Sequence, residues 1–246
     1  MKRLTKILTR TLAIVLTVVL MLAVGLLFYA SIVMRGDRAA AISAWQNPAV
    51  SITSTDRSIV IIPTGAPSGE GLVFIPGAKV DPYAYLFKLT GIVEESGVTI
   101  VITKPTLNLA ILDQRPLETF TSDAQEVETW FVGGHSLGGA RACQIAGEAD
   151  VAGLVLFGSF CANDLSNSQL TVLSISGSED GLSTPEKIQS GAVLLGAATK
   201  FVEIDGFNHA DFGDYGPQSG DGVSRLTSDQ ARAALTAALV SLFGTR

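Results

Sequence analysis

A chain of 246 residues, 47% of them hydrophobic, is long enough for one α/β domain with a full core and too short for two large ones. The formal charge of −6 hides an asymmetry: residues 1–35 hold five of the 17 Lys and Arg and none of the 23 Asp and Glu, leaving 12 cations against 23 anions in the remainder. That balance argues against nucleic acid as a partner, and no spaced Cys/His set suggests a metal site.

Residues 1–10 are a basic segment with Lys2, Arg3, Lys6 and Arg10, and residues 11–34 run without a charge. A helix of that length crosses a hydrocarbon core of about 30 Å. A cleavable signal has an apolar stretch of about 7–15 residues and a small-x-small exit, whereas here the run is longer and Phe28-Tyr29 immediately precedes Ala30-Ser31. The reading is therefore an uncleaved transmembrane signal anchor, with a cleaved signal and a secreted domain as the alternative. The N-terminal cations place the N-terminus in the cytoplasm and the rest of the chain outside. Residues 35–49 follow as a linker, or from Gly36 to Gln46 as a first helix, closed by Asn47-Pro48. The folded domain covers residues 50–246.

Within it, Ser51–Thr53 and Ser58–Ile62 read as short β-branched strands, separated by the turn Thr64–Gly69 from a strand over Gly71–Ile75. A helix over Tyr83–Glu95, opened by Asp81-Pro82, a strand over Val98–Thr103 and a helix over Leu117–Glu128, opened by Pro116, come next. The strand Thr129–Val132, helix Leu137–Gly147, strands Val151–Phe157 and Leu170–Ile175, helix Thr184–Leu195, strand Lys200–Ile204 and helix Ser228–Phe243 complete the series. Continuous apolar strands such as Gly153–Phe157 belong inside a parallel sheet covered on both faces, so the spacing predicts a doubly wound, mostly parallel α/β sheet. Between Phe160 and Leu170 there is no room for a cap domain. The two cysteines, Cys143 and Cys161, are compatible with one disulfide or with two buried thiols.

Gly134-His135-Ser136-Leu137-Gly138 sits where an apolar strand runs into a small-residue helix, the setting a serine nucleophile elbow requires. A serine hydroxyl needs a base within hydrogen-bond reach and a carboxylate to hold that base in the right tautomer. Of the two histidines, His135 is the elbow's own neighbour and points away on the turn, which leaves His209 as the base. His209 lies in the loop Gly206–Phe212 after a strand near the chain end, where open α/β sheets gather ligands. The order Ser, Asp, His then asks for an acid between them; Asp180 in Gly177–Gly181 fits best, with Glu179 the nearest rival and Asp164 a weaker one. Asp205, Asp211 and Asp214 crowd His209 as solvated groups or local acceptors, and form an acidic rim that disfavours strongly anionic substrates.

Backbone N–H groups must also bind the oxyanion of a tetrahedral intermediate. Leu137, after the nucleophile, supplies one. The loop Phe74–Pro82 supplies the other from Ala78 or Lys79, with Gly77 permitting a sharp exit and Tyr83 and Tyr85 either lining the pocket or packing in the core.

These segments, together with Gly206–Gly216, resemble the α/β-hydrolase superfamily over about Ser58–Phe243, and more narrowly its small bacterial members related to dienelactone hydrolases. The resemblance implies an α/β-hydrolase fold with Ser136, Asp180 and His209 as the catalytic triad, Ala78 and Leu137 as oxyanion donors, and no cofactor; the missing cap insertion is one departure from the family pattern. Pro76 stands where many members carry His before the oxyanion-loop glycine. The expected activity is that of a membrane-anchored serine hydrolase acting on small-molecule or lipid-like esters through an acyl-enzyme. An acyltransferase with the same triad and a noncatalytic surface protein with the same fold are the alternatives.

Overall fold

The structure, a computed structural model, describes residues 2–244 and divides into two units, an N-terminal helix ending before Met34 and a compact body from Met34 onward. The first is α1 (Lys2–Ser31), whose 27-residue stretch Thr5–Ser31 reaches a mean hydropathy of 2.8 over an 18-residue window and is long and apolar enough to cross a membrane. At 1.5 Å per residue such a helix spans about 40 Å.

The second unit is built on eight strands: β1 (Val50–Ser54), β2 (Ser58–Pro63), β3 (Glu70–Ile75), β4 (Thr99–Thr103), β5 (Thr129–His135), β6 (Gly153–Phe157), β7 (Thr171–Gly177) and β8 (Lys200–Ile204). Their order is β1-β2-β4-β3-β5-β6-β7-β8. β1 and β2 pair antiparallel and β2 runs antiparallel to β4, while every pairing from β4 across to β8 is parallel. Every residue of β4 and β6 is buried, as strands covered on both faces require. Alternation along β3 feeds two cores. Leu72 and Phe74 join one with Leu89, Ile92 and Leu239, and Val73 and Ile75 join the other with Ala142, Cys143 and Leu156. The winding direction reverses between β3 and β5, the topological switch point at which such sheets hold their ligands.

The helices of this unit are α2 (Arg38–Trp45), α3 (Leu86–Ser96), α4 (Glu118–Thr121), α5 (Leu137–Glu148), α6 (Pro185–Gly191) and α7 (Ser228–Phe243). α2 falls where a linker or a first helix was the expectation; Asp37 caps it through the Ala40 amide, and Ala44 is buried in the first core. Three helices are shorter than the periodicity suggests. Over 117–128 only the single turn α4 forms, because the Asp123 side chain is drawn onto Arg57 and, at 2.5 Å, Ser58, which pulls the chain out of the helical path. The segment from Pro82 begins as a 3₁₀ turn capped by Asp81 before α3, which Gly97 ends in the left-handed region at φ 78°. α6 gives way to a 3₁₀ turn at Ala192–Leu194. Cys143 on α5 and Cys161 after β6 form a disulfide with Cα atoms 5.5 Å apart. The chain from Gly158 to Leu170 holds no helix or strand, so the sheet edge carries no cap.

Candidate active site

β5 delivers its chain straight into α5, and the one residue between them, Ser136, is held at φ 52°, ψ −122°. A side chain in that region is strained, and the flanking contacts keep it there. The Ser136 amide donates to Phe157 O at 3.0 Å, and Ser159 Oγ donates to Ser136 O at 2.7 Å. Strand and helix pass so closely that a Cβ at Gly134 would lie 2.5 Å from Ile75 O, and one at Gly138 only 2.1 Å from the same oxygen. Glycine is required at both positions by backbone on the far side, which no side-chain shift can relieve.

His209 opens a 3₁₀ turn (His209–Phe212) after β8, fixed by a reciprocal cap between Asn208 and Asp211. Its Nδ1 lies 2.7 Å from Asp180 Oδ2, and both side chains are almost fully buried. Asp180 Oδ1 meanwhile accepts from the amides of Leu182 at 2.8 Å and Ser183 at 2.6 Å. One carboxylate oxygen is thus locked by the turn after β7, which leaves the other for the imidazole. An acceptor at Nδ1 places the ring proton there and leaves Nε2 as the basic nitrogen. A Cβ added at Gly158 would come within 2.9 Å of Asp180 Oδ2 and 3.2 Å of His209 Nδ1. Gly158 follows Phe157, whose carbonyl holds the Ser136 amide, so all three residues meet at one end of β5, β6 and β7.

The rival acids lie elsewhere. Glu179 pairs with Arg225 at 3.0 Å, and Asp164 accepts from the Ser166 amide. The loop after β3 brings Ala78 to the same edge, and among the described residues neither the Ala78 amide nor the Leu137 amide has a protein acceptor. Gly77 owes its identity to space rather than to a sharp exit: a Cβ there would meet His135 Nδ1 at 2.8 Å. Lys79 is the left-handed residue of this loop, at φ 60°, and its amide donates to Asn108 O at 2.7 Å, so it is not free to serve as an oxyanion donor.

A family model described as the alpha/beta hydrolase family matches residues 71–233. The chain belongs to the α/β hydrolase family. The hydrolase is similar in fold to the esterase domain of a Rhodothermus marinus protein, at TM-score 0.56 and 14% identity over 80% of this chain and 98% of that one. It is similar also to a serine hydrolase without a lid from Xanthomonas campestris (TM-score 0.53, 13% identity, 81% and 98% covered). Esterase LipW from Mycobacterium marinum is a third likeness (TM-score 0.54, 16% identity, 84% and 86% covered). No curated protein sequence matches the chain.

Around these residues lie contacts that a reading of the sequence does not give. Tyr85, buried among the core aromatics, accepts from the Gly77 amide at 2.9 Å, so its own proton goes to His135 Nδ1, also 2.9 Å away. The His135 ring packs 4.4 Å from that of His209, centroid to centroid. Burial, with the neighbouring His209, holds the His135 pKa well below 6.5, so the ring is neutral, and its Nε2 is buried without a partner. Tyr83, by contrast, reaches outward to Ser54. The acids around His209 carry less free charge than their number suggests: Asp214 pairs with buried Lys88 at 2.5 Å and Asp205 with Arg225 at 2.6 Å. Arg225 is shared with Glu179, and among the described residues neither Asp211 nor Asp221 forms an ion pair, so the acidic character expected around His209 is offset at Asp214 and only in part at Asp205. Asp221 accepts from backbone amides on both sides of the Asp180–His209 pair. Nothing in its Gly-rich surroundings marks it in the sequence.

Proposed function

We propose that this protein is a serine esterase in which Ser136, His209 and Asp180 form the catalytic triad. The observation that carries the reading is the buried contact between His209 Nδ1 and a carboxylate whose other oxygen is already fixed, at the strand end where a strained serine stands. His209 Nε2 takes the proton of Ser136 as its hydroxyl attacks the ester carbonyl, and the amides of Ala78 and Leu137 receive the charge on the carbonyl oxygen. The proton passes to the leaving alcohol, and water then hydrolyses the acyl-enzyme by the same route. This chemistry needs no metal or organic cofactor. An uncapped edge admits bulky or lipid-like acyl compounds as well as small esters.

The apolar helix α1 serves as a signal anchor in this reading, with the hydrolase domain outside the cytoplasmic membrane. The disulfide between Cys143 and Cys161 supports the placement, because such bonds persist in oxidising compartments. A fluorophosphonate probe should label the full chain and not Ser136→Ala, with p-nitrophenyl esters of increasing chain length defining the acyl preference. Equal labelling of both proteins would overturn the assignment. Release of the active protein from washed membranes without detergent would overturn the anchor.

A further inference from the structure

The turn that carries Asp180 and the turn that carries His209 come from different strands, and one side chain belonging to neither binds both. Asp221 Oδ1 accepts from the Gly181 amide at 3.2 Å, on the acid's turn, and from the His209 amide at 3.1 Å; Oδ2 accepts from the Ala210 amide at 2.9 Å. Oδ1 also takes the amide of Gly222 at 2.7 Å. The loop around Asp221 is wedged against both turns by backbone. A Cβ at Gly181 would fall 2.7 Å from Gly220 O, one at Gly222 would fall 1.9 Å from Glu179 O, and Asn208 Nδ2 donates to Gly222 O at 2.9 Å.

We propose that Asp221 is a positioning residue that fixes the separation of Asp180 and His209, acting through their backbones and touching neither substrate nor the reacting atoms. The inference rests on the esterase reading above. A carboxylate is suited to the task because it is acceptor-only and offers two oxygens, so one group can hold amides converging from two directions. Loss of its charge lets the two turns drift independently, and a displacement near 1 Å is enough to cost about 100-fold in rate.

Asp221→Asn keeps the shape but turns one acceptor into a donor facing an amide. Its kcat should fall on the order of 10- to 100-fold, with KM within about 2-fold of the unsubstituted chain. Asp221→Ser, which retains a single acceptor oxygen, should lose activity too, and carries the comparison if the asparagine variant does not fold. In an Asp180→Asn background the added substitution should cost less than about 3-fold, because the pair it positions is already broken. The unsubstituted protein should show a downfield proton resonance from His209 Nδ1–H, and that resonance should broaden or shift in Asp221→Asn. An unchanged kcat with an unchanged resonance, or the same fold-loss in both backgrounds, would overturn the proposal. An unsubstituted chain that neither turns over esters nor takes the fluorophosphonate fails on the esterase reading itself, a result seen before any variant is made.

Discussion

Tyr85 and His135 are joined by a single buried hydrogen bond of 2.9 Å, and the same hydroxyl receives the amide of Gly77. The loop after β3 and the turn after β5 are therefore anchored to one oxygen atom. Burial drives the Tyr85 pKa far up, so that oxygen keeps its proton throughout the working range.

Replacing Tyr85 by Phe leaves the ring in place but strands the Gly77 N–H and the His135 Nδ1 in the core. Each such group costs about 1–3 kcal/mol, and for a domain of this size each kcal/mol lowers the melting temperature by roughly 2–4 °C. With Gly77 unpinned, kcat/KM should fall about tenfold, equivalent to some 1.4 kcal/mol of transition-state binding. Thermal melting and ester hydrolysis measured on the same preparation check both.

Asp180 and Glu179 are neighbours with different surroundings, one buried against His209 and the other half-buried beside Arg225. Asp180→Asn should reduce kcat by about 10⁴-fold through the wrong imidazole tautomer, whereas Glu179→Gln should leave it within about 2-fold. Equal losses in the two variants would remove Asp180 from the triad.

His135 releases its proton far more readily in the fold than in the open chain, where its pKa is 6.5. As pH falls through that value the unfolded chain binds a proton that the folded one refuses, so stability is full above about pH 6.5 and declines below it. His135→Asn should flatten the decline in melting temperature between about pH 7 and pH 5. An unaltered slope would show that another group carries the acid sensitivity.

The disulfide ties α5, which begins at the elbow, to the loop following β6 across a separation of 18 residues. Cutting it by Cys143→Ser with Cys161→Ser should lower stability by about 3 kcal/mol from the loop-closure entropy regained by the unfolded chain. Denaturant titration with and without reductant measures this.

The strands and the closing helix were legible because each is a run of one period: β8 and α7 begin and end where alternation and capping residues place them. The elbow was legible for a different reason, since backbone crossing at Gly134 and Gly138 leaves no alternative to glycine. The helix expected over 117–128 failed because Asp123 answers to Arg57 and Ser58, 66 and 65 residues away in sequence, and a long-range partner leaves no local trace. Asp221 went unseen, and the hydrogen-bonding role of Tyr85 with it, on the same ground. Their importance lies in the amides they receive, and backbone groups have no letters in a sequence.

The left-handed backbone of Ser136 sets a ceiling on how durable this protein can be. A residue held there carries about 1–3 kcal/mol of unfavourable conformation in every resting molecule, a handicap that only glycine, lacking the hydroxyl, would escape. In the esterase reading robustness and reactivity thus compete for this position, because Ser136→Gly would relieve the strain and remove the attacking hydroxyl in one step.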